Sequence, residues 1–91
     1  MGYAVVDGVA DAGEDYLGWQ VQAPEIAARI NELLQNARRT PFAGIGKLEP
    51  LKGTLSGFWS RRITQEHRLV YRVAGAGADQ RIEVASCRKH Y

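Results

Sequence analysis

The stretch FWSRRITQEHRLVYRV, residues 58–73, decides the fold of this chain of 91 residues. Apolar and polar side chains alternate along FWSRRIT (58–64) and again along HRLVYRV (67–73), and both segments are rich in β-branched and aromatic residues. A pattern of period two is typical of half-buried strands. Because only Gln65 and Glu66 separate the two segments, the sequence predicts an antiparallel hairpin.

The length of the hairpin loop decides whether two arginines can act together. Alternate residues of a strand share one face of the sheet. A two-residue loop at Gln65 and Glu66 puts Arg62 and Arg68 on opposite faces, whereas a three-residue loop that includes His67 puts them on the same face. Both loops are compatible with the sequence, so the alternatives stay open at this point.

Other strands are predicted on either side of the hairpin. RIEVASC (81–87) follows the glycine-rich turn AGAGADQ (74–80) and has the composition of a third strand, while YAVVD (3–7) is a short N-terminal strand. Residues 40–57 are rich in glycine and proline and predict a long ordered loop with a short strand near Leu51. Loops of this length are uncommon in compact domains unless they serve a function.

Two helices are predicted between the N-terminal strand and the long loop. Asp11 is a candidate N-cap for the first helix, with Glu14 three residues later as in a capping box. The second begins at Pro24 and stops before Pro41. Its apolar face is formed by residues at helical spacing: Ile26, Ile30, Leu33, Leu34 and Ala37. One strand, two helices and a mostly antiparallel meander, with the helices on one face, define an α+β fold.

Length and composition restrict the class of protein. Residues 1–91 are expected to form a single domain. There is no run of about 18 apolar residues, so no membrane span is expected. The N-terminus has no basic region of the kind that begins a signal peptide. The single cysteine, Cys87, fits a reducing compartment, and we therefore expect a cytoplasmic protein.

Charge is distributed unevenly along the chain. Residues 1–46 carry three arginines against six acids, while residues 47–91 carry nine lysines and arginines against four acids. The net charges of the two halves are therefore −3 and +5. A basic surface attracts polyanions such as nucleic acid, but a solvated basic face of no specific function has the same composition.

The residue types in the second half favour one kind of chemistry. There is no CxxC, HExxH or acidic cluster, so no metal site is expected, and no glycine-rich loop between a strand and a helix indicates a nucleotide cofactor. What remains is a carboxylate, two histidines and several arginines. Such a set is sufficient for metal-free cleavage of RNA, because acid–base groups move the two protons and guanidinium groups stabilise the phosphorane. By residue type alone, a solvated charged face is the alternative.

The stretch RRTPFAGIGKLEPLKGTLSGFWSRRITQEHRLVYRV (38–73) and the terminal CRKHY (87–91) closely resemble the Txe/YoeB family of bacterial toxins, within the wider RelE-like group. The resemblance implies a microbial-ribonuclease-like α+β fold. It also implies an endoribonuclease that cuts mRNA in the ribosomal A site, needs no cofactor, forms a homodimer and is neutralised by a cognate antitoxin of the YefM/Phd type.

The resemblance also implies roles for individual residues. Glu49 matches the catalytic glutamate, Arg68 the key arginine and His90 the catalytic histidine. We interpret Glu49 as the general base, His90 as the general acid and Arg68 as the group that stabilises the phosphorane, although the acid and base roles can be exchanged.

Further positions match residues that hold or orient the phosphate and base: Lys52, Arg62 and Tyr91. The last two residues of the chain are therefore expected to be ordered parts of the site. The alternative is a non-catalytic or degenerate toxin-like module that binds RNA or the ribosome.

Overall fold

The computed structural model describes residues 2–5 and 12–88, with side chains from residue 15 onwards. The secondary structure elements are, in chain order, β1 (Gly2–Val5), α1 (Ala12–Gln22), α2 (Pro24–Arg39), β2 (Glu49–Pro50), β3 (Trp59–Arg62), β4 (Arg68–Ala74) and β5 (Arg81–Ser86). Short 3₁₀ turns lie at Gly53–Leu55 and Gly77–Asp79. No helix in this part of the chain is long and apolar enough to span a membrane.

The strands form one sheet in the order β1-β5-β4-β3-β2. β1 runs parallel to β5, and the other neighbouring strands are antiparallel. Both helices contribute to a single core on one face of the sheet. Its buried side chains are Trp19, Ala27, Ile30, Leu33, Leu34, Ala37, Ile63, Leu69, Tyr71, Ile82, Val84 and Cys87. The predicted α+β architecture is therefore confirmed.

Most of the predicted elements coincide with the observed ones. β1 covers the described part of the predicted strand, whose last two residues lie outside the described residues, and α2 begins at Pro24 as predicted. The apolar face of α2 is buried, apart from Ile26, which is half-buried. The short strand predicted near Leu51 is β2, one residue earlier. The predicted N-cap Asp11 lies outside the described residues.

The hairpin loop has three residues. Arg62 pairs directly with Arg68, and the N–H of Ile63 donates to the carbonyl of His67 at 2.9 Å. The loop is therefore residues 64–66, and the two-residue alternative is wrong. The three-residue alternative correctly put Arg62 and Arg68 on the same face, but it included His67 and so placed the loop one position too far along the chain.

A buried arginine joins the hairpin to the loop between α2 and β2. Arg61 has no exposed surface. Its Nε donates to the hydroxyl of Tyr71 at 3.0 Å. Its two terminal nitrogens donate to oxygens at the end of α2 and in the loop that follows: Asn36 Oδ1, Thr40 O at 2.7 Å, Ala43 O at 2.8 Å and Ile45 O at 3.2 Å. The Tyr71 hydroxyl donates in turn to Pro41 O at 2.7 Å, and burial raises the pKa of this phenol.

The same loop approaches the core too closely for a side chain at Gly46. A Cβ at this position would lie 2.9 Å from Cδ2 of Leu33 and 3.1 Å from Cβ of Arg61, and the φ angle of 89° is in the left-handed region. The N–H of Arg62 donates to the carbonyl of Gly46 at 2.6 Å. The loop is therefore docked on β3 through both main-chain and side-chain bonds.

We expect Arg61→Lys to destabilise the domain. Lysine has no planar fork, so several buried carbonyls would lose their donor, and the free energy of unfolding should fall by about 2–4 kcal/mol. For a domain of this size the melting temperature should drop by about 10–25 °C in thermal unfolding followed by circular dichroism. Arg62→Lys is the matched control, since the side chain of Arg62 points to the opposite face, and its melting temperature should not fall below that of the wild type. An Arg61→Lys protein that melts with the wild type would contradict this role.

Cys87 is predicted to be chemically inert in the native protein. The side chain is buried, and desolvation together with the charge of Asp15 raises the pKa of the thiol from 9.0 to about 12. Because the folded pKa lies above the unfolded one, the folding free energy is undiminished at neutral pH and declines as the pH rises above about 9. A disulfide reagent such as DTNB at pH 8 should label the unfolded chain promptly and the native chain hardly at all. Equal labelling rates in the two states would rule this out.

Candidate active site

Three of the predicted site residues lie on one face of the sheet. Glu49 of β2 pairs with Ser60 of β3, and Arg62 pairs with Arg68 of β4. Directly paired residues and alternate residues of a strand share a face. Since Leu69 is in the core, these residues lie on the face away from the helices. We call the surface formed by Glu49, Ser60, Arg62 and Arg68 the outer face.

Glu49 is held at the edge of the sheet and is accessible to solvent. The residue before it, Leu48, packs against the core, and Lys47 has a φ of 48°, which is in the left-handed region. Such a conformation is unfavourable for a residue with a side chain and persists only where the surroundings fix it. Here the docked loop and the partly buried Leu48 fix it, so Glu49 has a defined position at the edge of the sheet.

The arginines on this side of the sheet differ in their partners. Arg72 of β4 forms an ion pair with Glu83 of β5 at 2.8 Å, and Arg81 binds the other oxygen of the same carboxylate at 2.8 Å. Hydrogen bonds from Arg72 and Arg81 lower the pKa of Glu83. In contrast, no carboxylate of the described residues lies within ion-pair distance of Arg62 or Arg68. Two uncompensated guanidinium groups on directly paired residues favour a bound anion.

Arg68 is oriented by the hairpin loop. Its Nη1 donates to three main-chain carbonyls of the turn, those of Thr64 at 2.9 Å, Gln65 at 3.2 Å and His67 at 3.1 Å. All its hydrogen bonds to described residues leave from this one nitrogen. Among the described residues, Nε and Nη2 therefore have no acceptor, while the turn fixes the orientation of the guanidinium group.

Arg62 also has a donor without a described acceptor. Its Nε is buried, and no described residue accepts a hydrogen bond from it. Leaving a buried donor unpaired costs about 1–3 kcal/mol, and buried polar groups in native proteins are nearly always paired. An anion on the outer face could pair with this N–H only if the side chain moved, because the nitrogen is closed to solvent.

Lys52 is exposed and lies three residues after Glu49, just before the 3₁₀ turn. Among the described residues, no hydrogen bond or ion pair connects its side chain to Glu49, Arg62 or Arg68. The structure therefore brings three of the predicted residues onto one face and leaves Lys52 beside it on a separate segment.

His90 and Tyr91 lie outside the described residues. The strand that leads to them ends beside Arg68, because Ser86 pairs with Val70, two residues after Arg68 on β4. The C-terminal candidates thus follow a strand end that neighbours one of the outer-face arginines.

Ser86 is a feature of the outer face that the sequence pattern did not reveal. Its hydroxyl is buried and has no hydrogen-bond partner in the part of the chain that the structure describes. In a regular strand Ser86 would share the core face with Val84, but a register shift between Val70 and Tyr71 turns it to the outer face. Bulges of this kind leave no clear signal in the alternation of residues. Within residues 15–88, no group of three His, Cys, Asp or Glu side chains could hold a metal ion.

Comparison with known proteins places this geometry in a family. Residues 9–91 match the family model described as "YoeB-like toxin of bacterial type II toxin-antitoxin system". The toxin YoeB of Escherichia coli K12 is 56% identical over 81 residues, which are 89% of this chain and 92% of that protein.

Solved structures agree with this match. A YoeB/ParE toxin from Agrobacterium tumefaciens superposes with a TM-score of 0.88 at 51% identity, covering 99% of this chain and 98% of that one. A YoeB dimer from Staphylococcus aureus gives 0.83 at 42% identity, with 98% and 97% covered. A heterotetrameric YoeB–YefM complex from the same organism gives 0.81 at 41% identity, with 100% and 97% covered. The chain therefore belongs to the YoeB family of toxins of bacterial type II toxin–antitoxin systems, as its sequence indicated.

Proposed function

We propose that this toxin is an endoribonuclease that cuts translated mRNA on the ribosome without a metal ion. The observation that carries the proposal is the pair of directly opposed arginines, Arg62 and Arg68, with no carboxylate partner among the described residues, on the same face as Glu49. A phosphodiester is an anion that can accept hydrogen bonds from both guanidinium groups, and the carboxylate of Glu49 lies on the strand next to that of Arg62.

In the proposed mechanism Glu49 accepts the proton of the ribose 2′-hydroxyl. The 2′-oxygen then forms a bond to phosphorus, and the bond from phosphorus to the 5′-oxygen breaks as His90 donates a proton to the leaving oxygen. The products are a 2′,3′-cyclic phosphate and a 5′-hydroxyl. Arg62 and Arg68 stabilise the charge that develops on the phosphorane, a contribution of several kcal/mol for preorganised donors. Lys52 and Tyr91 hold the substrate. Exchange of the acid and base roles gives the same products.

The exposure of the candidate groups supports a requirement for the ribosome. Glu49 at the edge of the sheet and Lys52 on the segment that follows it are both exposed to solvent. A strand of mRNA held in the A site would have its backbone presented to this face, and the ribosome would restrict its conformations. Positioning of this kind is a major source of rate enhancement.

We infer that the activity is controlled by protein partners. The Staphylococcus aureus relative forms a complex with YefM and has been solved as a dimer. A cognate antitoxin of the YefM/Phd type is accordingly the proposed inhibitor of this chain, and a homodimer is its proposed free state. Because its substrate is translated mRNA, the proposed site of action is the cytoplasm.

Removal of either acid–base group tests the proposal. Glu49→Gln and His90→Ala should each slow cleavage of mRNA on programmed ribosomes by about 10²–10⁴-fold, since each removes one proton transfer. The measurement is the single-turnover rate with purified toxin and ribosomes. Glu32→Gln is the control, because Glu32 lies on the exposed side of α2 in an ion pair with Arg29.

Two results would reject the enzymatic function. Wild-type protein that binds ribosomes without cutting the message would favour the non-catalytic module. Cutting by both variants at the wild-type rate would show that the reactive groups lie elsewhere.

A further inference from the structure

Trp19 of α1 lies where three parts of the molecule meet. Its Nε1–H donates to the main-chain carbonyl of Cys87 at 2.9 Å, and this bond is buried. The guanidinium carbon of Arg88 lies 4.0 Å from the centre of the indole ring, within cation–π distance. The ring of His67 meets the indole edge-on, with 4.6 Å between centres. A buried indole N–H needs an acceptor, and here the acceptor belongs to the segment that leads to the C-terminus.

Further side chains on the same stripe of α1 hold the same segment. Asp15, one turn before Trp19, accepts the N–H of Cys87 at 3.2 Å, and its other oxygen lies 3.9 Å from Nε of Arg88. Gln22, almost one turn after Trp19, accepts from Nη2 of Arg88 at 3.3 Å. Both main-chain groups of Cys87 are thus bound by side chains of α1 beyond the end of β5.

Gly18 fits the same interpretation. Glycine inside a helix costs about 1 kcal/mol relative to alanine, so its presence in α1 needs a reason. A Cβ at Gly18 would lie 3.2 Å from Nη2 of Arg88, which is tighter than ordinary contact. The glycine leaves room for the guanidinium group against the helix.

We propose that this stripe of α1, Asp15, Trp19 and Gln22, is a clamp for the C-terminal segment, and that Trp19 is a positioning residue for His90. The inference rests on the proposed function. Two residues of chain span at most about 7 Å, so fixing Arg88 restricts where a residue two positions later can lie. The clamp also contacts the hairpin, because the ring of His67 packs against Trp19. The carbonyl of the same histidine accepts a hydrogen bond from Nη1 of Arg68.

The test compares two leaving groups. An mRNA whose scissile phosphate carries sulfur in place of the 5′-oxygen has a leaving group that needs no proton, so it relieves the requirement for a general acid. Single-turnover cleavage on the ribosome is measured for both messages with wild type, His90→Ala and Trp19→Phe. Phenylalanine keeps the ring but removes the N–H donor to Cys87.

Trp19→Phe should slow cleavage of the oxygen message about 10- to 100-fold, because small displacements of a catalytic group have effects of this size. The ratio of its rate on the oxygen message to its rate on the sulfur message should fall below the wild-type ratio, as it should for His90→Ala. Trp59→Phe is the matched control, since Trp59 contacts Phe42 on the other side of the core, and both its rates should match wild type. Arg88→Gln changes a half-exposed side chain and should show the same pattern without loss of folding.

The inference fails if His90→Ala is impaired while Trp19→Phe and Arg88→Gln cleave both messages at the wild-type rate. It also fails if these variants slow the two messages in a ratio unlike that of His90→Ala. A His90→Ala protein with full activity would instead overturn the proposed function, so the two failures are distinguishable.

Discussion

The structure depends on the buried guanidinium group of Arg61. A charge removed from water is costly unless hydrogen bonds replace its hydration. The described hydrogen-bond partners of Arg61 are dipoles rather than carboxylates, and two of them, Asn36 and Thr40, lie at the C-terminal end of α2, where the helix dipole favours a cation. The arrangement ties β3 to the end of α2 and to the loop that leads to β2. The position of Glu49 follows from it, because that loop delivers the chain to the sheet edge.

The consecutive arginines Arg61 and Arg62 lie on opposite faces of the sheet and differ in their hydrogen bonds. Arg61 points inward and donates to described residues from all three of its nitrogens, whereas Arg62 points outward and its buried Nε has no acceptor among the described residues. Across the sheet, Arg68 is oriented by the carbonyls of the hairpin turn, and Arg72 is neutralised by Glu83. An anion would therefore encounter Arg62 and Arg68 rather than the basic surface as a whole. The net charge of the C-terminal half makes the approach of RNA favourable, but these specific pairings determine where it would be bound.

Much of the fold could be predicted from periodicity, but several features of the site could not. The hairpin and the buried face of α2 follow from patterns of two and 3.6 residues. Whether Arg62 and Arg68 share a face depends on whether the hairpin loop has two residues or three. The three-residue loop is stabilised by the hydroxyl of Thr64, which accepts the N–H groups of Glu66 and His67. The burial of Arg61 was not evident, because its partners are main-chain carbonyls of an irregular loop. The orientation of Ser86 depends on a bulge, and the roles of His90 and Tyr91 remain predictions from the family resemblance.

In the proposed mechanism, attack by the 2′-hydroxyl, driven by acid–base groups, cuts the message. The most direct test is the chemistry of the ends produced by single-turnover cleavage of one ribosome-bound mRNA. The mechanism predicts a 2′,3′-cyclic phosphate on the upstream fragment, a 5′-hydroxyl on the downstream fragment and no cut when the scissile nucleotide is 2′-deoxy. A 3′-hydroxyl with a 5′-phosphate, or cleavage at the deoxy position, would contradict it.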